Sequence, residues 1–389
     1  MGLAVPDSEE LFHRALALPP PERERFLDGA CESRPSLRRR LDTLLRAHRS
    51  SAGFLDDPVH ARHQPVDPAA ALDTRVGPYL LEEVLGEGGF GVVYKARQEE
   101  PLPRSVALKI IKLGMDTRRV IARFQAERQA LGQTDHPFIS TVLDAGSTAA
   151  GRPYFVMEFI DGVDLCRYCV EQDLDVPARL RLFVDVCRGV QHAHQKGLIH
   201  RDLKPSNVLV VEEDGRPSPR LIDFGVAKAI HSRASLETAH TEIGQFVGTP
   251  GYMSPEQAGS TETDVDTRSD IYSLGALLYE LLAGSPPFDS TRLREASLLE
   301  LQRVLREEDP PPPSDRAGVP RLRGDLDWIV MKALEKERGR RYSSAEALAA
   351  DILRHLENEP VLASPPSTIY RLRKFVRRNQ LKVLAVSGV

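Results

Sequence analysis

The sequence predicts an α+β chain of two lobes, a small β-rich lobe followed by a larger, mostly helical one. Three observations carry this. Short β-type runs begin at Tyr79, among them Val92-Val93-Tyr94 and Val106-Ala107-Leu108-Lys109-Ile110-Ile111, rich in the β-branched and apolar residues of strands. One helical stretch, residues 118–131, interrupts them. From Gly162 to about Glu357 the apolar spacing is mostly that of helices. A β-rich part joined to an α-rich part implies two lobes with a cleft between them.

The 389 residues are 41% hydrophobic and 28% charged. That is an ordinary globular composition, long enough for a large core, and it excludes wholesale disorder. The net charge of −4 gives no support for bulk binding to nucleic acid. Four cysteines (Cys31, Cys166, Cys169 and Cys187) are too few for a disulfide framework. Cys166 and Cys169 form a C-x-x-C without a second pair, which reads as two small apolar residues one helical turn apart. No apolar run reaches the ~18 residues of a membrane helix. The start, with Asp7, Glu9 and Glu10, lacks the basic and apolar regions of a secretory signal. A cytoplasmic setting is therefore expected.

Residues 1–75 read as a helical extension and linker. Ser8 caps a helix carrying Leu11, Phe12, Ala15 and Leu16 on one face. Pro19, Pro20 and Pro21 break it, and a second helix starts in the Pro-Glu-Arg-Glu-Arg that follows. Pro35-Ser36 opens a third, with Leu37, Leu41, Leu44 and Leu45 at helical spacing. Residues 51–75 hold Asp57-Pro58, Gln64-Pro65 and Asp67-Pro68 and read as the linker. Pro310 to Pro313 reads as a stiff surface connection inside the helical part.

Gly86-Glu87-Gly88-Gly89-Phe90-Gly91 is followed by Val92-Val93, so the glycines turn a strand into a strand. Such a hairpin lets backbone approach a polyphosphate closely, and a plain hairpin is the alternative for the segment alone. Lys109 ends an apolar strand, where a cation invites an anion. Glu127, on the predicted helix, is a carboxylate able to hold it. Taken singly, each charge reads as solvated surface.

Downstream come His200-Arg201-Asp202-Leu203-Lys204-Pro205-Ser206-Asn207, then Asp223-Phe224-Gly225, then Ser254-Pro255-Glu256. With the glycine turn, Lys109 and Glu127, this ordered set resembles the eukaryotic-type protein kinase family, in its bacterial serine/threonine branch. The resemblance covers roughly residues 79–357. It implies the bilobal protein-kinase fold and the use of ATP and Mg²⁺. By the match, Gly86, Glu87, Gly88, Gly89, Phe90 and Gly91 cover the ATP phosphates. Lys109 holds the α/β-phosphates and pairs with Glu127. Asp202 takes the proton of the substrate hydroxyl, and Lys204 neutralises charge on the moving phosphoryl group. Asn207 and Asp223 offer hard oxygens to Mg²⁺. Val93, Ala107 and Leu209 enclose the adenine. Met157 is the gatekeeper, and Glu158-Phe159-Ile160 is the hinge whose backbone reads the adenine edge. Asp270 braces the catalytic-loop backbone, and Arg341 pairs with Glu256. His200, Phe224 and Leu131 belong to the stack that aligns the lobes. Ser254 and Leu108 depart from the usual Ala and Ile.

The resemblance divides the chain into 1–75, a kinase domain over 76–358 (small lobe 76–157, hinge 158–162, large lobe 163–358) and a basic tail over 359–389. Lys204 and the segment Gly248-Thr249-Pro250-Gly251-Tyr252-Met253-Ser254-Pro255-Glu256-Gln257 resemble the serine/threonine forms. They imply protein substrates. Arg201 before Asp202 implies activation-loop phosphorylation, with Thr241 or Thr238 as the sites and a homodimer as the route. A catalytically silent scaffold is the alternative, and a small-molecule phosphotransferase a third reading. The tail holds Arg371, Arg373, Lys374, Arg377, Arg378 and Lys382 and, across 361–389, no acid. The first 360 residues therefore carry a net −10, hidden by the total of −4. An acidic body with a basic tail implies contact with an anionic membrane surface, or a tether to its cytoplasmic face if a span follows in a longer form.

Overall fold

The computed structural model describes residues 26–27, 38, 71–88, 91–111, 136–223, 250–259, 265–370, 372 and 374. The chain divides into two compact units, 1–67 and 68–389. In the first, Phe26 and Leu27 are helical, as is Arg38, and Leu27 is buried.

The second unit opens with a six-stranded antiparallel sheet. Its strands are β1 (Arg75–Val76), β2 (Tyr79–Gly88), β3 (Gly91–Gln98), β4 (Arg104–Ile111), β5 (Val142–Ser147) and β6 (Pro153–Glu158). Their order is β1-β2-β3-β4-β6-β5. Period-2 alternation sorts the side chains. Val92, Tyr94 and Ala96 of β3 and Val106 and Leu108 of β4 join Tyr79, Leu81 and Val156 in one buried cluster. Val93, Lys95, Ala107 and Lys109, between them in sequence, take the opposite face and are half-buried. Ala71 and Leu72 also pack on this cluster, so the linker's end belongs to the small lobe. The expected helix over 118–131 lies outside the described residues.

The large lobe follows with α1 (Leu165–Glu171), α2 (Val176–Gln195), α3 (Thr267–Ala283), α4 (Ser290–Glu295), α5 (Leu298–Glu307), α6 (Pro313–Ala317), α7 (Asp325–Ala333) and α8 (Ala345–Leu356). Carboxylate caps start two of the longest. Asp175 accepts from Ala178 N at 2.8 Å, and Asp266 from Arg268 N at 2.7 Å. Thirteen of the 17 residues of α3 are buried, the mark of a helix surrounded by core. It ends at Gly284, whose φ of +76° suits glycine.

This lobe also contains strands that the helical reading passes over. β7 (Val163–Asp164), β8 (Val208–Glu213) and β9 (Arg216–Leu221) form a three-stranded sheet. Asp214 and Gly215, at φ +50° and +72°, make the two-residue turn between β8 and β9, the Asp-Gly signature of a tight hairpin. The proline run is less superficial than expected. Pro310 and Pro313 are buried, and Pro311 O accepts from Tyr279 OH at 2.9 Å. Cys166 and Cys169 lie on α1, both unbridged. Burial pushes the Cys169 thiol up to about 11, as a small core residue requires. Among the described residues no cluster of metal-binding side chains occurs and no helix is long and apolar enough to cross a membrane.

Residues 136–140 tie the two lobes. Ile139 forms a parallel bridge with Leu221, Leu221 N donates to Phe138 O at 2.8 Å, and Ser140 N donates to Leu221 O at 2.9 Å. His136 lies over His192 of α2 at a ring separation of 4.8 Å. Burial, and the neighbouring His192, hold His136 below the ordinary histidine value of 6.5. The unfolded chain therefore takes up this proton first, and stability falls as pH drops below 6.5 toward the depressed folded value. Unfolding midpoints measured between pH 7.5 and 5.5 are expected to fall further for the wild type than for His136→Asn. Equal slopes would assign the acid sensitivity elsewhere.

Candidate active site

The outward face of the small sheet forms one side of the site. Val93 is directly opposite Lys109 on β4, and Ala107 is directly opposite Met157 on β6. Val93, Ala107 and Met157 are half-buried, as are Glu158 and Ile160 after them and Leu209 on β8. Leu85, which the sequence reading passes over, sits in a β2 bulge just before the glycines and is 44% exposed. An apolar side chain left open beside this face is a further candidate for the adenine enclosure, and its only sequence signal is its place before Gly86.

The glycines divide into two kinds. A side chain at Gly86 or Gly88 would meet nothing within 4 Å, whereas a Cβ at Gly91 would collide with the Ile110 carbonyl. Gly91 is thus required by β3–β4 pairing, while Gly86 and Gly88 keep open the space above the sheet. Glu87 pairs in register with Val92. Gly89 and Phe90 lie outside the described residues. Gly91→Ala is expected to cost about 1–3 kcal/mol of stability by overpacking. Gly86→Ala should leave the unfolding midpoint near wild type, so equal midpoints for the two variants would refute the distinction.

The other side of the site is built at one end of the β8–β9 hairpin. Val208 pairs with Leu221, and Ile222 N donates to Asn207 O at 3.0 Å. Asn207, just before β8, and Asp223, two residues after β9, therefore emerge side by side. Asp223 adopts φ +56°, which turns the chain sharply there. Lys109 Nζ donates to both Asp223 carboxylate oxygens at 2.5 Å. The side chains of this pair are only 12% and 27% exposed, so the ion pair is well shielded from water. The expected partner Glu127 lies outside the described residues, as do Leu131, Phe224, Thr238, Thr241 and Thr249.

Among the described residues, Asn207 and Lys204 help to orient Asp202. Asn207 Nδ2 reaches the Asp202 main-chain oxygen at 2.7 Å and Oδ2 at 3.1 Å, and Lys204 Nζ lies 3.1 Å from the same Oδ2. The loop behind them is fixed by Asp270 of α3, which is 0% exposed. Its carboxylate accepts from His200 N at 2.7 Å and Arg201 N at 2.8 Å, and His194 Nε2 lies 2.8 Å away. Burial alone would raise the Asp270 carboxyl, but hydrogen bonding from His194 and the facing amide outweighs it and holds the group below its ordinary value. Arg201 sits at φ +63°, a strained conformation kept by these bonds. Burial lowers the His200 imidazole, and its Nε2 lies 3.2 Å from Ile222 O.

The segment 250–259 is fastened beside this loop. Ser273 Oγ donates to Tyr252 O at 2.8 Å, and Tyr252 OH donates to Glu280. Ser254, one of the two departures, is fully buried. Its N and Oγ both donate to Gln257 Oε1 at 3.1 Å, and Gln257 Nε2 donates to Arg201 O at 2.8 Å. The hydroxyl thus helps to aim the side chain that links this segment to the Asp202 loop. Arg341 donates to both oxygens of Glu256, at 2.7 and 2.9 Å, as the resemblance implies.

A β-sheet lobe that carries an open run of glycines and a lysine, the lysine paired with an aspartate of the helical lobe that also presents a second, braced aspartate, defines a two-lobed domain of the kinase type. The protein kinase domain family matches residues 79–353, and the chain belongs to that family, in its bacterial serine/threonine branch. It is 38% identical over 288 residues to the serine/threonine-protein kinase PknB of Mycobacterium tuberculosis (strain ATCC 25618 / H37Rv), covering 72% of this chain and 43% of that protein. It is 36% identical over 277 residues to the serine/threonine-protein kinase pkn3 of Myxococcus xanthus, covering 70% of this chain and 49% of that one. The chain therefore spans less than half the length of these relatives. The crystal structure of the Mycobacterium tuberculosis PknI kinase domain superposes with a TM-score of 0.55 at 26% identity, over 73% of this chain and 98% of that one.

Proposed function

We propose that the protein is a serine/threonine kinase that transfers the γ-phosphate of ATP to hydroxyls of protein substrates. The observation that carries this reading is the convergence, at one end of the β8–β9 hairpin, of the Lys109–Asp223 ion pair with Asp202, Lys204 and Asn207. Phosphoryl transfer needs fixed charge and in-line positioning more than covalent chemistry, and these are the groups that supply both.

The donor set suits Mg²⁺. Asp223 offers a carboxylate, and Asn207 commits its amide nitrogen to Asp202, which leaves its amide oxygen for a hard cation. When bound, the ion neutralises the charge of the ATP phosphates. Lys109 binds α/β-phosphate oxygens, its attachment to Asp223 showing that it already reaches the carboxylate that would face them. Asp202 accepts the proton of the incoming hydroxyl. Lys204, beside it, stabilises negative charge on the group in transfer. Val93, Ala107, Leu209 and Met157 enclose the adenine, and the backbone at Glu158 and Ile160 reads its edge.

Incubation of the purified chain with radiolabelled ATP, Mg²⁺ and a generic protein substrate tests the reading. Label is expected on the substrate with the wild type and not with Lys109→Met. Equal labelling by both proteins, or none by either, would overturn it. Phosphosite mapping in the same reaction is expected to find Thr241 or Thr238 occupied in the wild type only. Occupancy of both proteins alike would exclude autophosphorylation.

A further inference from the structure

We propose that Gln257, aimed by Ser254, is a positioning residue for phosphoryl transfer: it holds the Arg201 carbonyl, and with it the peptide plane that leads into Asp202. The proposal rests on the reading of Asp202 as the base and deepens it, because it gives a part in turnover to a side chain that acts through another.

Arg201 is the strained point of the loop. Its φ of +63° lies in the left-handed region, which a side chain disfavours, so the conformation persists only where neighbours impose it. Successive peptide planes are held one by one. His200 N and Arg201 N donate to the Asp270 carboxylate at 2.7 and 2.8 Å. Arg201 O accepts from Gln257 Nε2 at 2.8 Å, and Asp202 O accepts from Asn207 Nδ2 at 2.7 Å. Gln257 thus grips the plane before the Asp202 Cα, and Asn207 the plane after it. Release of the first would let the strained residue relax and turn the Asp202 carboxylate out of line.

Donor and acceptor chemistry fixes which way the Gln257 amide points. Ser254 N is a donor, so the atom facing it at 3.1 Å is Oε1. Arg201 O is an acceptor, so the atom facing it is Nε2. The Ser254 hydroxyl donates to the same Oε1 at 3.1 Å and accepts from Gln257 N at 3.4 Å. Serine and glutamine therefore brace each other, with Ser254 fully buried. Alanine at 254 would keep the main-chain bond and lose both bonds of the hydroxyl, so the departure at this position is tied to the glutamine three residues on.

Both grips on Arg201 are rooted in α3. Asp270 belongs to that helix, and so does Ser269, whose hydroxyl donates to Glu256 Oε1 at 2.7 Å. Arg341 holds the same carboxylate, so the residue before Gln257 is fixed. The residue after it, Ala258, is fully buried, and its N donates to Ser254 O at 3.2 Å. The helix therefore clamps Arg201 from its amide side through Asp270 and from its carbonyl side through the turn at 254–258. That turn lies in the segment whose resemblance to the serine/threonine forms implies protein substrates, and the Gln257 amide joins this segment to the base.

Steady-state phosphorylation of a generic protein substrate by the full chain tests this. Gln257→Met keeps the length of the side chain and removes its donor. It is expected to lower kcat about ten-fold, with the KM for ATP near wild type and the unfolding midpoint above the assay temperature. Gln257→Glu keeps the acceptor for Ser254 and sets an oxygen against Arg201 O, so it should lose at least as much, and it carries the comparison if Gln257→Met does not fold. Ser254→Ala should lower kcat about three-fold. In the Asp202→Asn background either Gln257 change should cost nothing further, because no carboxylate is left to position. Three results would overturn the proposal: wild-type kcat in both Gln257 variants, a loss that falls on the KM for ATP instead of kcat, or an equal loss with and without the Asp202 carboxylate. Wild-type kcat in Asp202→Asn itself would overturn the reading of the base together with this proposal, whereas loss there and none in the Gln257 variants would overturn this proposal alone.

Discussion

Asp202→Asn is expected to lower phosphoryl transfer to protein by about 10²- to 10⁴-fold, the range for loss of a positioned general base. The geometry makes this substitution a clean one. The Asn207 amide reaches Oδ2 and the Asp202 main-chain oxygen, and Lys204 reaches the same Oδ2. An amide oxygen accepts from both of these donors, so these two contacts are kept. What the variant loses is the capacity to take a proton. If Asp202 acts as the proposed base, the KM for ATP and the unfolding midpoint should stay near wild type while kcat collapses. A variant with wild-type kcat would remove Asp202 from the chemistry. One that lost stability as well would make it a structural residue.

The second large effect concerns stability. The Arg341 side chain is 0% exposed and its Glu256 partner 7%. Besides its two bonds to Glu256, the guanidinium donates to Arg268 O at 2.8 Å, Glu335 O at 2.7 Å and Lys336 O at 3.1 Å. It also lies over the Tyr272 ring, 5.0 Å from its centre. Arg341→Met removes these five bonds and strands a buried carboxylate, at a cost of about 3–5 kcal/mol. The double change with Glu256→Met should cost less than the two single changes added together, because no charge is then left alone. Lysine is not a conservative replacement, since it cannot supply the planar fork. Acid should act at the same place. Burial alone would raise the Glu256 carboxyl, but the Arg341 bond outweighs it and holds the group below 4.5. Its stabilisation is present above pH 4.5 and is lost as pH falls through the depressed value. Denaturant titrations of wild type and single and double variants at neutral pH and at pH 4 would measure both effects. Additive losses would argue against a coupled pair.

Much of the site is legible in sequence because its chemistry restricts residue type. Cations for phosphate, hard oxygens for a metal and glycines for close approach leave few substitutes, and their order along the chain identifies the family. Bonds between distant residues are another matter. Lys109 and Asp223 are 114 positions apart, and only the folded hairpin end brings them together. The three glycines look alike as letters, yet Gly91 alone faces a neighbouring carbonyl. The β8–β9 hairpin is announced by Asp214-Gly215, but its strands are short and lie in an otherwise helical stretch. In the tail, sequence conveys charge and not attachment. That Lys374 turns inward to Asp325 depends on α7, nearly 50 positions earlier.

The junction at residues 136–141 has a mechanical consequence. Among the described residues the main chains of the two lobes meet along a short line, and the Lys109–Asp223 ion pair is a side-chain contact between the lobes away from it. One end is the Ile139–Leu221 bridge. The other is the connection after β6, where Glu158 N donates to Thr141 O at 2.9 Å. Once that ion pair parts, a plate hung at two points has one easy motion, rotation about the line joining them. Displacement then grows with distance from that axle. Met157, next to it, scarcely travels, whereas the paired ends of β2 and β3 at Gly88 and Gly91 travel farther. On the proposed function, nucleotide would enter and leave at the Gly88–Gly91 end while the end of the site beside Met157 stays still.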